Sequence, residues 1–298
     1  MSVTVRAPAK INLRLGVGPV RDDGYHPLAT VYQAIGLYDD VTATEADEWG
    51  VDVAAGGDLE VSDVPPGRDN IAIRAGLALA AHHHVEQAAH LSIAKSIPVA
   101  GGLAGGSADA AATLVALDRL WDLRTPDDDL LAIAGELGSD VPFALLGGTA
   151  YGTGRGELVE PVTDRGAWWW VVVPDVDGLS TAAVYAEYDE LGLARALGPP
   201  LGLFDALRSG LPEDLAVVLD NDLEPAALSL RPDLARTRTE VTSAGAYAAL
   251  LSGSGPTWLG LAGDADHARD IAGRLARDHR VVLCAPGPVA GAHVVTYA

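Results

Sequence analysis

The chain is predicted to be an α+β protein of two domains, each layering helices on a sheet, and three observations predict it. The opening runs in β-branched, alternating segments, whereas later stretches interleave Ala- and Leu-rich helical patterns with short apolar strands. After Gly147-Gly148 the rhythm changes, and the turn-rich Tyr151-Gly-Thr-Gly-Arg-Gly-Glu157 divides the chain near residue 155, into domains over 1–155 and 156–298. With 298 residues, 49% of them hydrophobic, there is material for two cores; with only 5% aromatic, these are expected to be mostly small aliphatic side chains.

In chain order, Val3–Val5 and Ile11–Leu15 read as strands on either side of Ala7-Pro8-Ala9-Lys10, and Val31–Leu37 and Val41–Thr44 continue the sheet. A helix is expected from Asn70 to about His83, a strand near Leu91–Ala94, then a glycine-rich loop and an Ala-rich helix from about Ala108 to Trp121. Thr125-Pro126 reads as the cap of a helix over Asp127–Leu137. Trp168–Val173 reads as a buried strand stopped by Pro174, its three tryptophans gripping both faces of a sheet. Beyond it, helices are expected near Thr181–Leu191, Leu215–Asp220 and Pro232–Ala244. Strands are expected near Ala246–Leu251, Thr257–Ala262 and Arg280–Cys284, with a closing strand over His293–Tyr297.

A net charge of −21 disfavours a polyanion as partner, because nucleic-acid affinity rests on many cations releasing counterions. It does not exclude a nucleotide, whose phosphates a few cations and backbone N–H groups neutralise locally. Cys284 is the single cysteine, so no intrachain disulfide forms and a reducing cytoplasm suits the chain. The start lacks a signal-peptide core and no apolar run is long enough to cross a membrane, so the protein is expected to be cytoplasmic, as a monomer or weak homodimer. Eighteen of the 20 basic residues are arginine, leaving Lys10 and Lys95 as candidates for work that needs a compact ammonium.

Residues 98–108 read Pro-Val-Ala-Gly-Gly-Leu-Ala-Gly-Gly-Ser-Ala with a helix at once behind them. Taken alone this is either a tight strand-to-helix turn or an anion trap, in which glycines admit phosphate oxygens to the backbone and the helix N-terminus adds free donors. A Walker A loop needs Gly directly before its Lys; both lysines follow Ala, so that class is excluded, and no dinucleotide or protein-kinase glycine signature follows a strand. Asp140, in a Gly-Ser-Asp-Val-Pro turn between helices, either caps a helix or points into a cleft. His82-His83-His84 with His90 is not read as a metal site, since consecutive histidines do not easily share one tetrahedron.

Three separated segments resemble the motifs of the GHMP kinase superfamily: Pro8-Ala-Lys-Ile-Asn-Leu-Arg-Leu15, Pro98 through Ala112, and Leu251-Ser-Gly-Ser-Gly-Pro-Thr257. Asp23-Gly-Tyr-His-Pro27, Asp69-Asn-Ile-Ala-Ile-Arg-Ala75 and Gly138-Ser-Asp-Val-Pro-Phe143 are similar to the branch acting on a cytidine diphosphate derivative of methylerythritol, rather than to mevalonate, homoserine or galactose kinases. The resemblance implies a ribosomal-protein-S5-domain-2-like N-terminal domain binding ATP with magnesium and a ferredoxin-like C-terminal domain binding substrate. It also implies phosphorylation of the C2 hydroxyl in the non-mevalonate route to isoprenoid precursors.

Residue by residue, the resemblance makes Asp140 the general base, with Lys10 as its charge-stabilising partner; Asn12, two residues on and so on the same strand face as Lys10, is placed to orient the substrate hydroxyl. It places ATP on Pro98, Val99, Ala100, Gly101, Gly102, Leu103, Ala104, Gly105, Gly106, Ser107 and Ala108, with Lys95 and Asn70 on the adenine side. Tyr25 and His26 would hold cytosine, closed over by Tyr185, or by Tyr188 if the register differs; Thr181 and the Gly253, Ser254, Gly255 loop would meet the rest of the substrate. The loop departs from the family at Ala100, Ala104 and Ala108, where Gly, Gly and Ser are commoner, so any serine contact falls to Ser107. Two alternatives stand beside this: another kinase of the superfamily, of homoserine or mevalonate type, and a nucleotide-binding regulator without turnover.

Overall fold

In the computed structural model, which describes residues 1–56, 64–99, 101–175 and 177–295, the chain opens on two long antiparallel strands, β1 (Ser2–Val17) and β2 (Leu28–Ala46). The two pieces expected on either side of Ala7-Pro8-Ala9-Lys10 are one strand, which runs on through register shifts at Pro8/Ala9 and Asn12/Arg14. Between these shifts Ala9, Lys10, Ile11 and Asn12 pair regularly with Ile35, Ala34, Gln33 and Tyr32, so Lys10 and Asn12 share a face.

The first half continues with β3 (Gly50–Ala55), α1 (Ile71–His83), β4 (Ala88–Lys95), α2 (Gly105–Leu120), α3 (Asp127–Leu137), α4 (Val141–Leu146) and β5 (Thr149–Thr153). Asn70 caps α1, its side-chain oxygen accepting the Ala72 N–H at 2.9 Å. Thr125 does not cap α3 as expected: its hydroxyl donates to Asp118 at 2.6 Å, and Pro126 stands at the N-cap. α2 begins inside the glycine loop, at Gly105, three residues earlier than expected.

The second half contains β6 (Leu158–Pro161), β7 (Trp168–Val173), α5 (Thr181–Glu190), α6 (Leu201–Ser209), α7 (Pro212–Ala216), β8 (Asp220–Asn221), α8 (Glu224–Leu230) and α9 (Leu234–Ser243). β9 (Ala248–Leu251), β10 (Trp258–Ala262), α10 (Ala265–Leu275), β11 (Leu283–Gly287) and β12 (His293–Val294) complete it. The helix expected at Leu215–Asp220 ends at Ala216 and gives way to β8; the last strand ends at Val294, and Tyr297 lies outside the described residues.

The larger sheet runs β12-β1-β2-β4-β3, with β5 on β2, β6 on β5 and β8 on β1; the smaller is the antiparallel β11-β7-β10-β9. β6, β8 and β12, which follow residue 155, return to the larger sheet, and Leu203, Leu207 and Leu215 of α6 and α7 are buried in the same core as α1 and α2. Trp168, Trp170 and Val172 face one core, shared with that sheet and α2, while Val171 and Val173 face a second core beneath α5, α8, α9 and α10. Trp169 packs on the second face, so the tryptophan run does grip both sides of one sheet. Cys284 is half-buried at the margin of the second core.

Candidate active site

The face of β1 that carries Lys10 and Asn12 looks into a cavity of about 810 Å³, whose other walls are the 24–26 turn, the 102–104 loop, Ser139-Asp140, Arg155, α5 and the β9–β10 turn. Lys10 is buried, and its Nζ donates to Asn12 Oδ1 at 2.8 Å and stands 3.4 Å from Asp140 Oδ2. Asn12 is held in turn by donating to Thr30 Oγ1 at 2.8 Å, and that hydroxyl donates to Arg14 O at 2.7 Å. A chain of donors thus fixes the amide and the ammonium before any ligand arrives.

Asp140 occupies the N-cap of α4 but makes no side-chain cap bond, which separates the two roles the sequence left open. Its carboxylate lies instead against Lys10, beside Tyr32 and Tyr185. Burial first, and the Asp140 charge second, push both phenols up, so neither competes with the carboxylate as a base. An exposed-edge carboxylate beside a buried ammonium, in a cavity open to solvent, can accept a proton from a hydroxyl and have the resulting charge balanced locally.

The glycine loop reaches this pair through the backbone: the Lys10 N–H donates to Leu103 O at 3.1 Å. Gly102 has φ +72, and a Cβ there would stand 2.2 Å from Ser252 O, so the loop and the β9–β10 turn interlock only through glycine. Asn221, which the sequence reading missed, holds the other side of that turn by donating to Leu251 O at 2.8 Å and Gly253 O at 2.7 Å. Ala104 caps α2 with φ 58 and no side-chain bond, so the first-turn N–H groups of Gly105, Gly106 and Ser107 have no intrahelical partner, an arrangement that suits an anion. Ala108 is buried in the core, so its methyl takes nothing from the anion face; Ala100 lies outside the described residues.

Of the residues singled out, Lys10, Asn12, Tyr25, His26, Gly102, Ala104, Asp140, Thr181, Tyr185, Gly253 and Ser254 line the cavity together. Thr181 and Ser254 share a hydrogen bond of 2.9 Å, joining α5 to the β9–β10 turn. His26 donates from Nδ1 to Gly18 O at 2.8 Å, which leaves Nε2, 3.4 Å from Asp189, as the face offered to a ligand. Its ring lies 5.1 Å from that of Tyr185, while Tyr188 is wholly buried and donates to Val17 O at 2.7 Å; of these two tyrosines it is Tyr185 that lines the cavity.

Lys95 and Asn70 are placed differently. Asn70 spends its amide on Pro65 O at 3.0 Å and its oxygen on the α1 cap. The Lys95 ammonium is sealed between Asp39, at 2.5 Å, and Asp109, at 2.8 Å. Asp39 also accepts the Ser96 and Ile97 N–H groups at 2.6 and 2.9 Å, so this triad ties β2, β4 and α2 together beneath the loop. Burial, reinforced by Asp39 and opposed by Lys95, pushes the Asp109 carboxyl up to about 8.

Residues 70–148 match the family GHMP kinases N terminal domain, and residues 203–280 match GHMP kinases C terminal. A Nocardioides sp. protein named 4-diphosphocytidyl-2-C-methyl-D-erythritol kinase is 59% identical over 99% of this chain and 100% of its own. A Streptomyces avermitilis protein of the same name is 50% identical over 99% of this chain and 100% of its own. A crystal structure of 4-(cytidine 5'-diphospho)-2C-methyl-D-erythritol kinase superposes with a TM-score of 0.78 at 31% identity, covering 97% of this chain and 100% of that one.

Proposed function

This chain belongs to the GHMP kinase family, and from that premise we propose that it uses ATP to phosphorylate the C2 hydroxyl of 4-diphosphocytidyl-2-C-methyl-D-erythritol, giving the 2-phosphate and ADP. The step belongs to the non-mevalonate route to isoprenoid precursors. The observation that carries it is the Lys10–Asp140 pair at 3.4 Å, set between the glycine loop on one side and the His26–Tyr185 ring pair on the other.

Asp140 takes the proton of the tertiary hydroxyl as it attacks the γ-phosphorus, and Lys10 balances the charge gathering between nucleophile and phosphoryl oxygens. Asn12, already fixed by Thr30, orients that hydroxyl. The N–H groups at the start of α2 receive the phosphates of ATP, and Gly102 lets the loop seat against the β9–β10 turn beside them. Tyr25, His26 and Tyr185 hold the cytosine. Magnesium accompanying ATP would be held mainly by phosphate oxygens and water, as is usual for this hard cation. No described helix is long and apolar enough to cross a membrane, and a cytoplasmic monomer or weak dimer fits this role.

The test is ADP release with the cytidyl substrate, run beside homoserine and mevalonate, on the parent and on Asp140→Asn. Turnover of the cytidyl substrate alone, falling at least ~10²-fold in the variant at unchanged melting temperature, is expected. Preferred turnover of another alcohol would overturn the substrate, and an active Asp140→Asn would overturn the base.

A further inference from the structure

Among the residues lining the cavity the formal cations are Lys10 and Arg155, set against Asp140 and Asp189. Lys10 stands at the reacting end, against Asn12 and Asp140, where the transferred phosphoryl group takes its charge. A nucleoside diphosphate ester must bring its own anion into a protein of net charge −21, and desolvating a diphosphate beside carboxylates without a cation is costly. Arg155 is the remaining cavity group that can answer it.

Its setting is built rather than incidental. Arg155 sits between Gly154 (φ +72) and Gly156 (φ +107), in a turn closed by Gly156 N–H donating to Thr153 O at 2.9 Å. The Leu28 N–H donates to Gly154 O at 2.8 Å, pinning the turn to the segment that carries Tyr25 and His26. A Cβ at Gly156 would stand 2.2 Å from the Tyr32 hydroxyl, so the turn is seated on the cavity floor. Glu157 Oε2 accepts the Arg155 backbone N–H at 2.5 Å, which fixes the residue's direction of departure.

The guanidinium itself is only loosely engaged. Nη2 donates to Gly135 O at 3.4 Å and Nε stands 3.8 Å from Glu157 Oε1, which leaves most of its donors uncommitted among the described residues. Its Cζ lies 5.1 Å from the centroid of the Tyr25 ring. Arg155 thus stands next to the base platform, where the phosphates attached to a bound nucleoside leave it, and a planar fork is suited to paired phosphate oxygens.

We propose that Arg155 is a substrate-specificity residue that binds the diphosphate of the cytidyl substrate and so selects a nucleoside diphosphate ester over a bare alcohol. This rests on the substrate reading above. ATP, received on the far wall at the start of α2, does not use it.

The experiment compares parent, Arg155→Ala and Arg155→Lys for KM and kcat with the cytidyl substrate, KM for ATP, and calorimetric Kd for CDP and for cytidine. The expected result is a ~10- to 100-fold rise in KM for the cytidyl substrate and in Kd for CDP, with cytidine affinity, ATP KM and kcat within about threefold of the parent. Arg155→Lys, which keeps the charge and the stem, should recover part of the loss and gives the same readout if the alanine variant does not fold. Equal losses for CDP and cytidine would make Arg155 a support for Tyr25 and overturn the diphosphate role; no loss of CDP affinity would overturn it outright. If the parent itself neither turns over the cytidyl substrate nor binds CDP or cytidine, it is the substrate reading that fails, and the inference with it.

Discussion

Lys10 and Lys95 are both buried and both face carboxylates, yet their surroundings assign them opposite work. Lys10 meets one carboxylate at 3.4 Å in a cavity, so its charge remains available to a ligand. Lys95 is closed between the carboxyl groups of Asp39 and Asp109 at 2.5 and 2.8 Å and serves the scaffold. The rarity of lysine drew attention to both, but only tertiary packing tells them apart, because Asp39 and Asp109 come from β2 and α2. The triad also sets a pH dependence. The Asp109 carboxyl, raised from 3.8 to about 8, binds its proton more tightly in the folded than in the unfolded chain. Its contribution to stability is therefore full at pH below its ordinary value and is lost as pH rises toward 8. Asp109→Asn keeps the shape and removes the titration, so its melting temperature is expected to fall less than the parent's between pH ~5 and ~8. Parallel melting curves for the two proteins across that range would remove this account of the triad.

The glycine loop and the β9–β10 turn act as one element, and two substitutions in it should behave in opposite ways. Gly102→Ala puts a Cβ 2.2 Å from Ser252 O at φ +72, so the loop must move: a stability loss of at least ~2 kcal/mol is expected, with a raised KM for ATP. Ala104 already holds φ 58, a left-handed conformation that strains a residue with a Cβ. Ala104→Gly relieves about 1–2 kcal/mol of left-handed strain against ~0.4–1 kcal/mol of added chain entropy, leaving stability near or slightly above the parent. Denaturant unfolding of both variants, with ATP kinetics, checks the pair; equal losses would mean the loop is not locked at Gly102. Such locks were not legible in the sequence, which showed the glycines but not the turn pressed against them. Elements with strong local signals were legible: Asp127–Leu137 and Trp168–Val173 come out at their expected bounds. α10 was missed although Asp264 caps it and Ala268, Ile271 and Leu275 form a buried stripe, a periodic signal present in the sequence. β3 was missed because its residues are half-exposed to exposed and carry no alternating core face.

At the scale of the whole molecule the site exists because the chain returns. β8 pairs in parallel with β1 at Arg14 and Leu15, and Asn221 on it carries the β9–β10 turn to the cavity that Lys10 faces. Spacing along the chain gives no such juxtaposition, so the individual residues Lys10, Tyr25, His26, Asp140 and Tyr185 were found through their motifs, while Arg155, Asp189 and Asn221 emerged only from the fold. The same scale carries the electrostatics. Acidic residues number 41 against 20 basic ones, and many of the basic residues are already paired with a neighbouring acid, as Arg6 is with Asp40 and Arg231 with Asp233. What remains is a surplus of like charge spread over the surface, and folding brings those charges closer together than they are in the unfolded chain. Screening shortens their reach to ~10 Å at 0.1 M salt and less above it, which relieves the folded state more than the unfolded one. Raising sodium chloride from about 20 mM to about 300 mM is therefore expected to raise the melting temperature by roughly 2–4 °C, the shift that ~1 kcal/mol gives in a chain of this size. A melting temperature that falls with salt would mean that the surface ion pairs stabilise the fold by more than the surplus charge destabilises it.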